Sequence, residues 1–473
     1  MISNNPKTPQ LSVHAHFYQP SREDPFSGEI HQEAGAAPYH NWNERIFHEC
    51  YKPNTDVGNF TRCSFNLGPT LADWMRRRYP EAYADIARQE ALFRQRHGVS
   101  NALAQSYFHP IMPLLSLRDK LTQARWGIAA YQRQFGHAPQ GFWLPETAVD
   151  TESLEVLAEL GIQYTILAPW QSKIPDLDTS RPYRVELPSG HNLVVFFYHA
   201  KLSTALSFNP PSSENADAFA LQELLPSYSD YTSDNPLILV ASDGELYGHH
   251  QPFRDMFLAR LLDKSAEAAG IINTTPALRL PADIKQLEEI WINENTSWSC
   301  HHGIERWRSI CPDGPHSTWK APLRSALEAC DAFVDAEYEK ACLEMGVDAW
   351  QLRDESVAVL LESTTEASWL KRKFKGKEKD ARFDHVALLL RAERDILRAQ
   401  ASDAWFFEEF NRIEPRNAIR CAAYALWLTR RAGAEDARPQ VLPILRKCTS
   451  ADGKVNGEQM FLDYDARLEL TNQ

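Results

Sequence analysis

At 473 residues, with 43% hydrophobic and 24% charged side chains, the chain has ordinary globular composition and room for two or three domains, one as large as a barrel. Its net charge of -13 argues against nucleic acid as a partner, because a phosphate backbone would be repelled unless a local basic patch compensated. No stretch approaches the roughly 20 apolar residues of a bilayer-spanning helix, and MISNNPKTPQ has neither a basic nor an apolar signal region, so the expectation is a cytoplasmic protein with no membrane partner.

In chain order, the first strand signal is LSVHAHFYQP (11–20). Period-2 alternation places Leu11, Val13, Ala15 and Phe17 on one face and Ser12, His14, His16 and Tyr18 on the other. Two histidines on one strand face suit a metal pair, a polar pocket, or a buried hydrogen-bonded pair. Residues 21–66 form a long irregular insertion, but Tyr39, His40, Trp42 and Asn43 argue against disorder. Cys63–Asn66 reads as a second strand, Pro69–Tyr79 and Glu81–Arg96 as helices. His109 follows in NALAQSYFHPIMP, and Leu114–Phe135 is an amphipathic helix.

Gln140–Glu146 (QGFWLPE) reads as a strand ending in a carboxylate, with Phe142, Leu144 and Glu146 on one face and Trp143 opposite. A helix over Thr151–Leu160 and strands over Gln163–Ala168 and Leu193–Ala200 come next. A Pro/Ser-rich loop (209–215) and a helix near 217–225 lead into LILVASDGELYGHH (237–250). That last stretch is a continuous apolar run, as a buried parallel strand requires, and it delivers Asp243, Glu245, His249 and His250 at its carboxyl end. The bland reading is a strand followed by an acidic Asp-Gly turn. A helix over Asp255–Ala269 and a strand at Ile271–Asn273 complete a run that alternates strand and helix, the pattern of a parallel α/β barrel. Beyond Pro315, Leu323–Met345, Leu352–Trp369, Phe383–Phe410 and Pro415–Ala432 read as helices, and KRKFKGKEKD (371–380) as a solvated loop. The expected organisation is therefore a barrel over 1–300, with 21–66 inserted, and a mainly α-helical domain over 301–473 that contributes to the active-site cleft.

Glu146 and Asp243 come from the carboxyl ends of different strands, the arrangement in which two acids can flank one glycosidic bond. Around them the sequence resembles glycoside hydrolase family 57, the α-glucan-acting amylases, glucanotransferases and branching enzymes. HAHFYQP (14–20), SYFHPIMPL (106–114), FWLPETA (142–148), SDGELYGHH (242–250) and NTSWSCHHGIERW (295–307) resemble its five motif regions in order. APYHNWNERI and SDAWFFEEFNRIEPRNAIRCA (402–422) further resemble a bacterial subgroup with a C-terminal helical extension.

The resemblance implies a (β/α)7-type barrel, a retaining mechanism, and neither metal nor cofactor. It implies Glu146 as nucleophile and Asp243 as general acid/base acting on an oligo- or polysaccharide. His14, His16, His109, Glu245, His249 and His302, with His40 in the inserted loop, would bind sugar hydroxyls. Trp42, Trp143 and Trp298 would supply stacking surfaces, with Trp143 equally readable as core.

Two other functions compete. A metal-dependent deacetylase or mannosidase-like hydrolase would use His14, His16, Asp243 and His249 as ligands, although the chain lacks the His-x-x-x-His spacing of deacetylases. A non-catalytic glucan-binding protein is the other. The eight cysteines include no CxxC pair and read as reduced thiols, and Cys300, His301, His302, Cys311 and His316 match no standard zinc spacing. Oligomeric state is left open by the sequence.

Overall fold

The computed structural model describes residues 8–312, 314, 316–377, 380 and 382–471. The chain divides into two compact units. The first comprises residues 1–19, 32–107 and 127–298, and the second 20–31, 108–126 and 299–473.

The first unit is built on parallel strands. β1 (Gln10–Phe17) is flanked by β2 (Ser64–Leu67) and by β8 (Leu237–Asp243), in a register that pairs His14 with Ser64, and His16 with both Asn66 and Asp243. β3 (Ala102–Gln105) continues from β2, and β4 (Phe142–Trp143) from β3. A second arc pairs β5 (Tyr164–Leu167) with β7 (Asn192–Phe197) in parallel, and β6 (Tyr183–Glu186) antiparallel to β7. Two seams join the arcs. Gly141 bridges to Tyr164 beside β4, and His199 N–H donates to Leu239 O, 2.7 Å, between β7 and β8. Seven parallel strands thus run in the ring order β8-β1-β2-β3-β4-β5-β7, the expected (β/α)7-type barrel. The short β9 (Ile272–Asn273) extends the start of β1.

Period 2 explains the filling of the ring. Leu103, Trp143, Tyr164, Ile166, Val194, Phe196, Leu237, Leu239 and Ala241 form one buried cluster, alternate residues of successive strands pointing inward. Gly141 is required at the seam, since a Cβ there would lie 2.3 Å from Tyr164 Cζ.

The sequence expectations differ from the structure at several places. β4 is two residues long, because Pro145 opens a turn where the alternation had carried the strand on to Glu146. The strand YRVE of β6 was not anticipated, although Tyr183 and Val185 are buried and alternate with Arg184 and Glu186. The irregular insertion contains a helical run over residues 42–56 with a π-turn at Phe47–Tyr51. Asn41 caps it, its side chain accepting from Glu44 N–H, a signal that the surrounding Pro and Gly obscured.

The second unit is helical, with Lys320–Glu344, Arg382–Ala399, Ile413–Arg431 and Gly457–Thr471 as its long members. The expected helix over 352–369 is broken into Ala349–Glu355, Val357–Leu360 and Glu366–Lys373. Of KRKFKGKEKD, residues 371–373 end that last helix, while 378 and 379 lie outside the described residues, as do the first seven residues of the chain. A fully buried Arg353 organises the interior: its guanidinium donates to Glu393 Oε2 and Asp119 Oδ1, both at 2.7 Å, and to Thr122 Oγ1 at 3.0 Å. Among the described residues no helix is long and apolar enough to cross a membrane.

Candidate active site

Glu146 sits in a 3-10 turn, Pro145–Thr147, directly after β4. Glu146 and Thr147 have φ of 55° and 47°, the left-handed region that non-glycine residues enter at a cost of order 1–3 kcal/mol each. The surroundings hold the turn in place. Gln171 accepts from Thr147 Oγ1–H (2.9 Å) and Ala168 N–H (2.8 Å), and its Nε2–H donates to Thr147 O (2.8 Å). Trp298 N–H donates to Glu146 O (3.0 Å), and Val149 pairs with Thr296. The same Trp298 turns its indole Nε1–H onto Glu146 Oε2 at 3.1 Å, fixing the carboxylate. Sequence reasoning found Trp298 as a stacking surface but not as this donor, and missed Gln171, which no sequence signal marks.

Asp243 is the last residue of β8 and the only exposed one on it. Register places it beside His16. Protein surrounds the carboxyl closely enough that burial, and secondly the negative charge of Glu146, push its pKa up to about 7. Water that reaches the side chain tempers this. The negative charge of Glu146 is thus felt at Asp243. Gly244 lets the chain turn here, since a Cβ would lie 2.3 Å from Phe17 Cδ1.

Glu245 points inward instead. Its Oε1 accepts from Tyr18 N–H (3.1 Å) and Tyr51 O–H (2.6 Å), and burial pushes its pKa up to about 8, with the Asp243 charge adding to the rise. It ties β1's end and the 42–56 helical run to the turn that carries Asp243. Tyr51 lay in the stretch read as irregular, so its role was not legible.

His14 and His16 are the buried hydrogen-bonded pair among the three readings of that strand face. His14 Nδ1 lies 2.9 Å from Ser64 Oγ, and its Nε2 3.1 Å from Asn66 Oδ1. Asn66 Nδ2–H donates to Gln105 Oε1 (2.6 Å) and lies 2.9 Å from His16 Nδ1. Satisfying every group assigns His14 the Nε2–H tautomer, Ser64 donating to Nδ1, and makes His16 Nδ1 an acceptor with its proton on Nε2. Burial pushes the two imidazoles down to about 3 and about 4, so both are neutral at physiological pH. Asn66 is the hub, and its place with Ser64 on the polar face of the alternating strand SFNL was the signal for it.

Trp143 is fully buried and stacks on both imidazoles, 4.6 Å from His14 and 5.2 Å from His16, with Trp298 edge-on at 5.0 Å. The alternation argument had put Trp143 opposite Glu146. The turn at Pro145 breaks the period and brings both to the same site. With no exposed face, Trp143 acts as the floor beneath the histidines.

His249 and Trp42 form a separate group. His249 Nδ1 lies 2.5 Å from Glu49 Oε2, and Trp42 meets the imidazole edge-on at 6.0 Å with Arg45 over its ring at 5.1 Å. His249 and Glu49 line a cavity of about 540 Å³ with Arg45, His48 and Phe253. His40 is exposed at the start of the helical run, its N–H donating to Glu44 Oε2. His109 and His302 belong to the second unit, where His109 Nδ1 lies 2.7 Å from Ser402 Oγ and His302 lies beside Cys311. Among the described residues the ligand atoms of His14, His16, Asp243 and His249 do not converge as a metal set would.

Residues 15–279, more than half of the chain, match the model of glycosyl hydrolase family 57. The chain belongs to glycosyl hydrolase family 57. Glu146 and Asp243 lie within the matched span, while residues 316–465 match a domain of unknown function (DUF3536).

Similar family 57 relatives include an alpha-amylase of Pyrococcus horikoshii, 24% identical over 211 residues, which are 43% of this chain and 31% of the relative. Another is a 4-alpha-glucanotransferase of Thermococcus litoralis, 23% identical over 214 residues, 43% of this chain and 30% of the relative. The match thus spans under a third of the length of these relatives. Among solved structures, an exo-type maltose-forming amylase from Pyrococcus sp. ST04 superposes with a TM-score of 0.73 at 15% identity, covering 97% of this chain and 88% of its own. A family 57 branching enzyme from Pyrococcus horikoshii gives 0.60 at 16%, covering 96% and 97%. At such identities these likenesses speak to the fold.

Proposed function

We propose that this family 57 protein is a retaining glycoside hydrolase or transglycosylase acting on α-glucans or related oligosaccharides. The observation that carries the reading is the pair of acids at the ends of β4 and β8, one fixed by an indole N–H and the other raised to about 7 with the first one's charge among the causes. An acid that keeps its proton up to about pH 7 can act as donor beside a second acid that serves as nucleophile. Glu146, as carboxylate, attacks the anomeric carbon while Asp243, protonated, gives its proton to the departing glycosidic oxygen. The resulting glycosyl ester is opened by water or a sugar hydroxyl whose proton Asp243 takes back. Neutral His16, held by Asn66 and stacked on Trp143, serves as a fixed polar group beside the sugar, while His14, whose ring nitrogens are both engaged, holds Asn66 in place behind it. His40, Trp42 and His249 would meet substrate farther along the inserted segment.

Relatives named for amylase and glucanotransferase activity support the α-glucan class. The metal-hydrolase reading loses support from His14, both of whose ring nitrogens already have hydrogen-bond partners. Incubation with maltooligosaccharides and amylose, followed by chain-length and linkage analysis, separates hydrolysis from transfer. Glu146→Gln and Asp243→Asn should each lose activity. Full activity in both variants would overturn the assignment.

A further inference from the structure

Eight cysteines are buried and unlinked, and two of them have a neighbour that packing alone does not require. In the helical unit, Cys300 Sγ lies 3.6 Å from Cys311 Sγ, and Cys311 Sγ lies 3.7 Å from His302 Nδ1. One ligand atom from each of the three falls within 4.8 Å of the others, the one such group among the described residues. Two turns build it. Gly303 N–H donates to Cys300 O in the first, Gly314 N–H to Cys311 O in the second, and the single helical turn Glu305–Arg308 lies between.

We propose that Cys300, His302 and Cys311 bind a thiophilic divalent cation, Zn²⁺ being the best match. Tetrahedral zinc holds sulfur at about 2.3 Å and imidazole nitrogen at about 2.0–2.1 Å, which sets a sulfur–sulfur edge near 3.8 Å and a sulfur–nitrogen edge near 3.5 Å. The observed 3.6 Å and 3.7 Å lie within a few tenths of an ångström of two of those edges, and the third pair, Cys300 and His302, lies within 4.8 Å. Two thiolates and a neutral imidazole neutralise a divalent charge, which makes burial of both sulfurs tolerable. His302 is exposed, so the coordination faces water on its side, and a water molecule can take the fourth position. A disulfide would need the sulfurs to close to about 2.05 Å and would leave the imidazole without a part. The spacing Cys-x-His-x8-Cys is not a standard zinc pattern, which is why the sequence argued against it. The fold supplies the convergence that spacing does not.

The test uses the full chain, expressed with zinc and freed of loosely held metal, and no glucan is present, so its outcome is independent of the carboxylate chemistry. About one zinc per chain is expected, with Co²⁺ substitution giving thiolate-to-metal charge transfer. Cys311→Ser should lower affinity at least about tenfold and weaken that band. Should the variant fold poorly, peptide mapping of wild-type alkylation decides the matter: Cys300 and Cys311 should be protected with zinc and modified after chelation. Less than about a tenth of a zinc per chain, a Cys300–Cys311 disulfide in the isolated protein, or alkylation indifferent to chelation would each overturn the proposal.

Discussion

The raised acid at Asp243 gives the sharpest prediction. An aspartate at its ordinary 3.8 would be protonated to less than a part in a thousand at pH 7, whereas one raised to about 7 is half protonated. The site therefore holds roughly a thousandfold more of the proton-donating form than an exposed aspartate would. For unactivated maltooligosaccharides, kcat/KM should fall about tenfold per pH unit above 7 as Asp243 ionises. A substrate whose leaving group needs no proton, such as an α-maltosyl fluoride, should lose that alkaline limb. Asp243→Asn should retain glycosyl-enzyme formation from the fluoride while losing it from the unactivated glucan. The assay is initial rate against pH between 5 and 9 for both substrates. A flat profile for the unactivated glucan, or an alkaline limb that survives in Asp243→Asn, would refute the reasoning.

Gln171→Ala removes two hydrogen bonds to Thr147 in the left-handed turn and one to Ala168 N–H, each worth about 1 kcal/mol, and should lower kcat at least about tenfold with little change in KM. An unchanged kcat would mean that the Val149–Thr296 pairing suffices. Glu245 has a folded pKa near 8, above its unfolded value, so the stability it contributes is full below the ordinary carboxylate range and is lost as pH rises through 8. Glu245→Gln keeps an acceptor for Tyr18 and Tyr51, and should flatten the fall of Tm between pH 5 and 9, a slope that melting curves measure directly. In the helical unit, Arg353→Met strands Glu393 and Asp119 in the interior and should cost about 3–5 kcal/mol by denaturant titration. Proton uptake by Glu393, whose pKa burial already raises, would offset part of that loss. A midpoint within error of wild type would show that the network is not needed for stability.

Much of the barrel could be read from local pattern. β1, β5, β7 and β8 are short apolar runs with period-2 faces, and hydrophobic periodicity is a local property. The positions of Glu146 and Asp243 just past apolar strands were visible for the same reason. β6 was missed because its alternation is half polar and lasts four residues, and the 42–56 helical run because its cap signal lay among helix breakers.

The sequence by itself determined which residues alternate, which strands are buried on both faces, and that two acids follow strand ends, since each of these depends on neighbours a few positions away. Only the tertiary structure decided what those acids meet. The indole of Trp298 reaches Glu146 across 152 positions, Tyr51 reaches Glu245 across 194, and Asn66 bridges two histidines some 50 residues earlier. Trp143 shows the limit most plainly: period 2 sent it away from Glu146, and one proline-led turn brought the two together. A proton affinity depends on burial and nearby charge in three dimensions, so the raised pKa of Asp243 belongs to the fold and is absent from any local stretch of the chain.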